Sequence, residues 1–538
     1  MHFGLLTLLF CAACSGGSEQ PDNKPSTALP ISQDGAINVY GELIDVREVA
    51  AGDTDTYVYP INEIYYFDES LPTELGKLKC AVSVKELKGV EKFACSEMCG
   101  VYVASTAPIK AVGWTDQNKD FTVSNGGDKS VKYSLYRYKI TTPNEWIDVP
   151  AVEGQTASLL LFGRDIKVQG TITYGTTIAK VDELRETMVA NPSIIRLPNG
   201  ELLVACSGTL RNTNGKGAWV NFYASADNGA TWSVRNHGKI EMSYESTFLH
   251  NGVLYIMGTN TPAGDVVIPA SYDNGYTWTN AVDANSGLLL EGAFHSAPVP
   301  VAIWNGRIWR GMETNETNKK VFVMSAPVDA NLLAASSWTM SNMLIYDKNW
   351  PVDGKSLKGS QMIEGNVVIT PDNRLVDILR VDEERYGRTI AMVDVVSSKK
   401  VTFDPTTGFH TLPGGGKKFT IRYDEQTQKY WTITNPVDQK DYGKKFEGKY
   451  ASGIKCGNIR NHMVLYSSRN LKEWTEEREI LASDDPFFHG FQYVDWIFDG
   501  EDLLAVIRLA APEERGLPTR QHDANILGFI RVENFRNN

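Results

Sequence analysis

One turn is written twice in this chain. Residues 225–232 read SADNGATW and residues 271–278 read SYDNGYTW, and both spell Ser-x-Asp-x-Gly-x-Thr-Trp. Each residue type has a local job. Serine and aspartate side chains bond backbone N–H groups inside a turn. Glycine permits a positive φ, and tryptophan is a large apolar anchor that pins the turn to its surroundings. Two worn copies follow, SAPVDANLLAASSW from Ser325 and SSRNLKEW from Ser467 to Trp474. The second has Arg469 in place of the aspartate and Glu473 in place of the threonine. Between them, VDVVSSKKVTF falls near the expected interval with almost nothing of the motif left. Self-similarity at such a period marks a fold assembled from like units.

A hairpin accompanies each unit. SIIRLPNGELLVACSG, STFLHNGVLYIMGTN, PVPVAIWNGRIWRGME, NVVITPDNRLVDILRV and VDWIFDGEDLLAVIRLA set a short polar tip between apolar runs. Tips of the Asn-Gly and Asp-Gly kind are strong hairpin signals. Repeated four-stranded sheets of this length, each ending in a turn, describe propeller blades, and about six fit between residues 170 and 535. The last is expected to take a strand from near GTITYGTTIAK, which closes the ring. Residues 36–165 lack the repeat but carry β-rich runs such as DTYVYPINEIYYF, SVKYSLYRYKI and ASLLLFG. The expected fold is therefore all-β. A β-sandwich-like accessory domain spans 36–165, and a six-bladed β-propeller spans 166–538.

The chain opens MHFGLLTLLFCAACSGGSEQPDNKPS. Its apolar run, Phe3 to Phe10, is too short to span a bilayer and suits a secretory signal. The Cys-Ala-Ala-Cys that follows resembles a bacterial lipobox. That resemblance implies a signal peptide over 1–14, lipid on Cys14 and a polar tether over 15–35. It implies a lipid-anchored protein of the bacterial cell envelope, or otherwise a secreted one. No later segment reaches membrane-spanning length, so membrane attachment is expected through the anchor alone. The net charge of −12 argues against a nucleic-acid partner, whose binding needs clustered Lys and Arg. Cys80, Cys95 and Cys99 cluster and could supply one disulfide. Zinc is the alternative at Cys95 and Cys99, but no histidine lies nearby to complete a ligand set. Cys206, inside ELLVACSG, reads as a core thiol.

The Ser-x-Asp-x-Gly-x-Thr-Trp turns resemble the Asp-box of sialidases and related six-bladed propeller proteins. The resemblance implies that the box lies on the outer rim, so that Asp227 and Asp273 serve folding. It also implies a site at the propeller axis. Sialidases place there three arginines that clamp a substrate carboxylate, a tyrosine nucleophile helped by a glutamate, and an aspartate acid/base. Guanidinium suits the clamp because it pairs with carboxylate bidentately. One departure is plain. Where sialidases carry Arg-Ile-Pro before the first blade, MVANPSIIRLPNG has Ala190-Asn191-Pro192. The first clamp arginine is absent, Arg196 lies further along the strand, and the chain is not a typical sialidase. VDELRE, Asp182 to Glu186, could supply a carboxylate near the acid/base position. From accessory domain to C-terminus the chain is similar to a group of exported bacterial sialidase-like proteins. This implies glycan processing and fixes no sugar.

The site candidates are charges that interrupt apolar strands. Glu364, Arg380, Arg422, Asp495 and Arg508 stand where a structural strand would prefer Val or Ile. Buried charges need partners, which convergence on one axis would supply. Glycoside hydrolysis needs one group to protonate the leaving oxygen and another to attack or to activate water. Glu364 and Asp495 are the expected acid/base pair and Tyr493 the expected nucleophile, with His295 and His489 as further acid/base groups. Arg380, Arg422 and Arg508 are the expected clamps. Asn366, Glu313, Gln492 and Asp523 complete the substrate-binding set. No motif implies a metal or an organic cofactor. The leading function is an exported glycoside hydrolase, exo-acting on an acidic or complex glycan. One alternative is a propeller polysaccharide lyase, in which Tyr493 or His489 removes the proton beside a uronate carboxylate that arginine neutralises. The other is a non-catalytic glycan-binding lipoprotein.

Overall fold

The computed structural model describes residues 36–537, apart from 43–44, 52–65, 77, 83–88, 96–97, 125–129, 150–159, 164, 169–173, 182–186, 211–217, 348, 353–354, 357–360, 383–385, 439–445, 449–450, 484–485 and 514–517. The expected signal peptide, Cys14, the tether and the Asp182–Glu186 stretch lie outside the described residues. No α-helix occurs among the described residues; two short 3-10 turns interrupt an otherwise all-β chain.

The N-terminal part is two sheets. One orders Asp165–Val168, Ala36–Glu42, Gly89–Cys95 and Ile147–Asp148; the other has seven strands with Leu160–Gly163 and Gly100–Ser105 at its centre. Alternation along the central strands explains the layering. Val101, Val103 and Leu161 face Ile37, Val39 and Phe93 of the first sheet. Tyr102, Ala104 and Phe162 point the other way, onto Phe121, Tyr133 and Leu75. Asp165–Val168 pairs in parallel with Ala36–Glu42, so the accessory fold runs on to Val168, past the expected boundary at 165. Cys95 and Cys99 bring their sulfurs within 3.0 Å, but no disulfide joins the described cysteines. No metal-ligating cluster occurs among the described residues.

Six antiparallel sheets of four to six strands follow, with two small two-stranded ones in connections among the described residues. Blade one runs from Thr187–Arg196 to Ser233–Glu241, blade two from Ser243–His250 to Leu288–Leu290, and blade three from Phe294–His295 to Leu344–Ile345. Blade four runs from Met362–Ile369 to Phe409–Thr411 and blade five from Ile421–Asp424 to Thr475–Ala482. Blade six holds Gly490–Asp499, Asp502–Ala510 and Ile526–Val532. It is completed by Thr176–Lys180, which pairs antiparallel with Ile526–Val532. The ring therefore closes with the strand expected from TTIAK. The hairpin tips adopt the backbone their residues demand: Asn251 and Gly252, and Asn305 and Gly306, all have positive φ, as a type I′ turn requires.

Apolar clusters join the blades pairwise around the ring. Leu203 and Phe222 of blade one pack with Leu254 and Ile256 of blade two. The series continues through Met257 with Met312, Trp309 with Leu379, Ile378 with Tyr430, and Trp431 with Trp496. It returns through Val506 with Val204.

The repeated turns sit between the third and fourth strands. In blade one, Ser225 Oγ accepts from Gly229 N at 2.8 Å, and Asp227 accepts from Thr231 N at 2.9 Å and from the Thr231 hydroxyl at 2.6 Å. Blade two repeats all three bonds with Ser271, Gly275, Asp273 and Thr277, at 2.8, 2.8 and 2.6 Å. Each tryptophan reaches the preceding blade. Trp232 packs on Phe529 of blade six, and Trp278 stacks on Phe222 of blade one at 4.9 Å. A Cβ at Gly229 would fall 2.1 Å from the Phe529 ring, so that glycine is required for space as well as for φ. The worn copy in blade five uses different residues from those its spacing suggests. Ser468 and Asn470, not Ser467 and Arg469, cap the turn, accepting from Leu471 N and Glu473 N at 2.8 Å each. Leu471 takes the glycine's place at φ 64, held there by burial of its side chain.

Candidate active site

The first strands of the blades meet at the axis. Ser193 of blade one bonds Thr247 of blade two at 3.0 Å. Asn366 of blade four bonds Phe419 and Ile421, leading into blade five. Near their starts, several of these strands bulge. Ile363 pairs with Arg380 but Asn366 with Ile378, so Glu364 and Gly365 stand opposite a single residue. The same slip leaves Tyr493 and Val494 between Gln492 and Asp495, and Tyr244 and Glu245 between Ser243 and Ser246. A bulge re-aims side chains. At each of these three, one residue is left-handed: Tyr244 at φ 60, Glu364 at φ 60 and Tyr493 at φ 55. Such conformations cost about 1–3 kcal/mol in bulky residues and cluster at functional sites. The bulge of blade one, at Ala190-Asn191, carries no charge; Asn191 bonds Ser207 at 3.1 Å.

Two of these bulges face each other. The Tyr493 hydroxyl donates to Glu364 Oε1 at 2.7 Å. Glu364 Oε2 lies 3.0 Å from Arg380 Nη1. Two more arginines flank the phenol ring, Arg508 at 4.7 Å and Arg460 at 5.9 Å from its centroid. Half-buried Tyr493 thus forms one cluster with buried Glu364 and three buried arginines. Burial pushes the Tyr493 phenol up to about 12 and the Glu364 charge adds to this, against the pull of Arg380, Arg508 and Arg460. The resting phenol is neutral. Three guanidinium nitrogens are buried without a hydrogen-bond partner among the described residues: Nε of Arg380, Arg460 and Arg508. Donors of this kind suit an oxyanion or carboxylate arriving between them.

A second pair lies beside the first. His295 Nδ1 and Glu313 Oε1 are 2.6 Å apart, directly opposite each other in the register of blade three. The same Glu313 oxygen accepts from the Glu364 backbone N–H at 3.1 Å. The Tyr244 ring covers His295, with centroids 4.2 Å apart.

The remaining sequence candidates go elsewhere. Asp495 accepts from Ile194 N at 3.0 Å, from Ser193 Oγ at 3.3 Å and from Arg422 at 3.2 Å. It is a tie between blades, not a partner of Glu364 as expected. Arg422 donates to Trp496 O as well, so it belongs to the seam of blades five and six rather than to a clamp. Asn366 is likewise spent on the seam of blades four and five. Gln492 receives Arg460 and donates to Gln521 O and His522 O, and so orients an arginine of the cluster. Asp523 is paired to Arg520 at 3.0 Å and to His522 at 2.8 Å, behind Arg508, which bonds His522 O at 2.6 Å. His489 packs between Tyr174 and Phe491.

Sequence reasoning missed Arg460 and Tyr244. Arg460 precedes its strand, in NIRNHM, and is placed by a single bridge to Gly490. The polar run ahead of an apolar strand was the available signal. Tyr244, in EMSYESTF, gave none.

No protein-family model matches the sequence, and no curated protein does. Among solved structures the chain is similar to an alpha-L-arabinanase of Penicillium chrysogenum complexed with arabinobiose, at 13% identity over 68% of this chain and 98% of that one, with a TM-score of 0.40. It is similar to a Hadza microbial sialidase at 9% identity over 93% of this chain and 99% of that one, TM-score 0.44. The Trypanosoma rangeli sialidase matches at 14% identity over 64% of this chain and 54% of that one, TM-score 0.41. The six-bladed fold described above rests on strand pairing and on the closed series of inter-blade clusters.

Proposed function

We propose that this chain is a glycoside hydrolase acting at the propeller axis on a sugar that bears a carboxylate, with Tyr493 as nucleophile and Glu364 as its base. The observation that carries the reading is the 2.7 Å bond from the Tyr493 hydroxyl to Glu364 inside a cluster of Arg380, Arg460 and Arg508. A nucleophile and its base within hydrogen-bond reach is the geometry covalent catalysis needs. The choice of a phenol follows from charge. A carboxylate nucleophile would repel an anionic sugar, whereas neutral Tyr493 stays uncharged until its proton passes to Glu364. The arginines offer unused N–H donors to the substrate anion, and their charge steadies the phenolate as a leaving group in the second half of the reaction. Left-handed backbone at both Glu364 and Tyr493 fixes the two groups before substrate arrives, which lowers the cost of orienting them.

Trapping tests this directly. The protein would be incubated with a fluorinated glycosyl fluoride of a sialic acid or of a hexuronic acid, and the adduct located by peptide mass spectrometry. A covalent sugar on Tyr493, lost in Tyr493→Phe, is the expected result. Turnover of a glycan at the full wild-type rate by both Tyr493→Phe and Glu364→Gln would sink the reading. An unsaturated product would replace it with lyase chemistry.

A further inference from the structure

Hydrolysis requires a second proton-transfer group, one that serves the leaving oxygen and then the attacking water. Among the described residues the carboxylates around Tyr493 are engaged, Asp382 facing Arg380 at 3.9 Å. Glu364 is committed to the phenol, and Asp495 is held by Ser193, Ile194 and Arg422. We infer that His295 and Glu313 form this group, with His295 Nε2 as the catalytic atom and Glu313 as the positioning residue. The inference rests on the reading of Tyr493 and Glu364 given above and extends it.

Four observations carry it. The first is orientation. Nδ1 of His295 is engaged by Glu313 at 2.6 Å, while Nε2 makes no hydrogen bond among the described residues. The imidazole is thus presented with one nitrogen anchored and one available. The second is access. Glu313 is fully buried, whereas the His295 side chain keeps 13% of its surface exposed, so the inner group orients and the outer one can reach a ligand. The third is linkage. Glu313 Oε1 also receives the Glu364 N–H, so one carboxylate fixes both the imidazole and the backbone of the nucleophile's base. The fourth is packing. The Tyr244 ring on His295 comes from a bulge of the same kind as those holding Glu364 and Tyr493. Tyr244 anchors its own hydroxyl on Pro262 O at 3.0 Å, so its ring, tilted 52° to the imidazole, is a fixed wall against it.

Proton accounting is consistent with this assignment. Burial pushes Glu313 up to about 7 and His295 down to about 3. A proton added to the pair near neutrality leaves Nε2 carrying hydrogen when Nδ1 accepts from the protonated carboxyl. Its loss returns the tautomer with Nδ1–H on Glu313 and a lone pair on Nε2. Lys319 and Arg380 oppose charging of the imidazole, and Glu364 and Asp382 favour it; Lys319, Arg380 and Arg310 act on Glu313. The steps balance. As Tyr493 Oη bonds the anomeric carbon, its proton moves to Glu364, the bond to the leaving oxygen breaks, and Nε2–H protonates that oxygen. Nε2 then takes a proton from water as the water oxygen bonds the anomeric carbon. The Tyr493–carbon bond breaks, and Glu364 returns the proton to the phenolate.

The test compares leaving groups. The full chain, His295→Gln and Glu313→Gln would be assayed on the methyl and the 4-nitrophenyl glycosides of a sialic acid and of a hexuronic acid. His295→Gln is expected to lose about 100-fold or more in kcat/KM on the methyl glycoside, and about tenfold or less on the nitrophenyl glycoside, which needs little proton assistance. Added azide should rescue the variant and yield a glycosyl azide. Glu313→Gln, which can still accept the Glu364 N–H, should displace the limb of the pH–rate profile near 7, a change that a merely structural role would not produce. If Tyr493→Phe is inactive while His295→Gln and Glu313→Gln keep the wild-type leaving-group dependence and pH profile, this inference fails alone. If the wild type cleaves none of the four glycosides and no adduct forms on Tyr493, the hydrolase reading fails first and takes this one with it.

Discussion

The rim and the axis of this ring both repeat, in opposite ways. At the rim, Ser225, Asp227, Gly229 and Thr231 recur as Ser271, Asp273, Gly275 and Thr277, with the same bonds at nearly the same lengths. At the axis the backbone recurs and the residues do not. Three bulges place a left-handed residue at equivalent points, and these residues are Tyr244, Glu364 and Tyr493. Repeating a side chain serves a need that every blade shares, which here is to clip each blade to the one before it. Repeating a backbone while changing the side chain produces several different groups aimed at one place. Chemistry needs the second kind of repetition, because a site requires distinct partners rather than copies.

Substitutions can break this contrast. The largest effect belongs to Tyr493→Phe, expected to lower kcat about 1,000-fold or more with thermal unfolding little changed. Glu364→Gln follows, at about 100- to 10,000-fold. Either variant retaining full activity would erase the distinction at the axis. At the rim the expected change is in stability alone. Trp278→Ala should cost about 2–3 kcal/mol through lost packing on Phe222, and Asp273→Ala about 1–2 kcal/mol through lost turn bonds. Both are read by denaturant titration, with turnover per folded molecule unchanged. A matching fall in turnover would mean that the rim reaches the chemistry.

The subtlest contrast is in pH. Thr231's hydroxyl and N–H hold Asp227 down to about 2. At Asp273 burial pushes upward, but the Thr277 hydroxyl and N–H outweigh it. These depressed acids stabilise the fold fully above their unfolded value of about 4, and that contribution is lost as pH falls toward 2. Inside the ring, burial lifts Glu245 and Asp377 to about 8. Folded molecules then hold more protons than unfolded ones between about 4 and 8, so this contribution to stability declines as pH rises through that window. Glu245→Gln and Asp377→Asn should each flatten the decline; an unchanged slope in both would show that other groups cause it.

The rim was legible in the sequence because its motif is local. Serine, aspartate, glycine and tryptophan bond and pack within eight residues, and the hairpin tips between them are equally self-contained. The axis was legible only as a set. Glu364, Arg380, Arg422, Asp495 and Arg508 all interrupt apolar strands, and all are held by partners in the folded chain. For the two acids, position relative to a bulge decides which turns toward Tyr493 and which ties neighbouring blades. Glu364 sits on one, whereas Asp495 falls just past one and is taken by Ser193 and Ile194. Arg422 and Arg460 exchange places for a related reason. Arg422 lies on a strand and is captured by Trp496 O, while Arg460 enters from a connection whose position depends on its bridge to Gly490. A change of register by one residue inverts the facing of a strand, and single-strand patterns do not record it.

The strand that closes the ring has a consequence for how the molecule is made. Thr176–Lys180 leaves the ribosome before any blade exists, and its partner Ile526–Val532 follows only after the other described blade strands. Through most of synthesis its edge stands open, and an open edge is a template for foreign strands. Blades one to five can associate with their neighbours as they emerge, but the seam between the sixth and the first must wait for Ile526–Val532. A chain stopped short of Ile526 would be an arc with both ends adhesive, so translation must pass Val532 before the product is safe from its own copies.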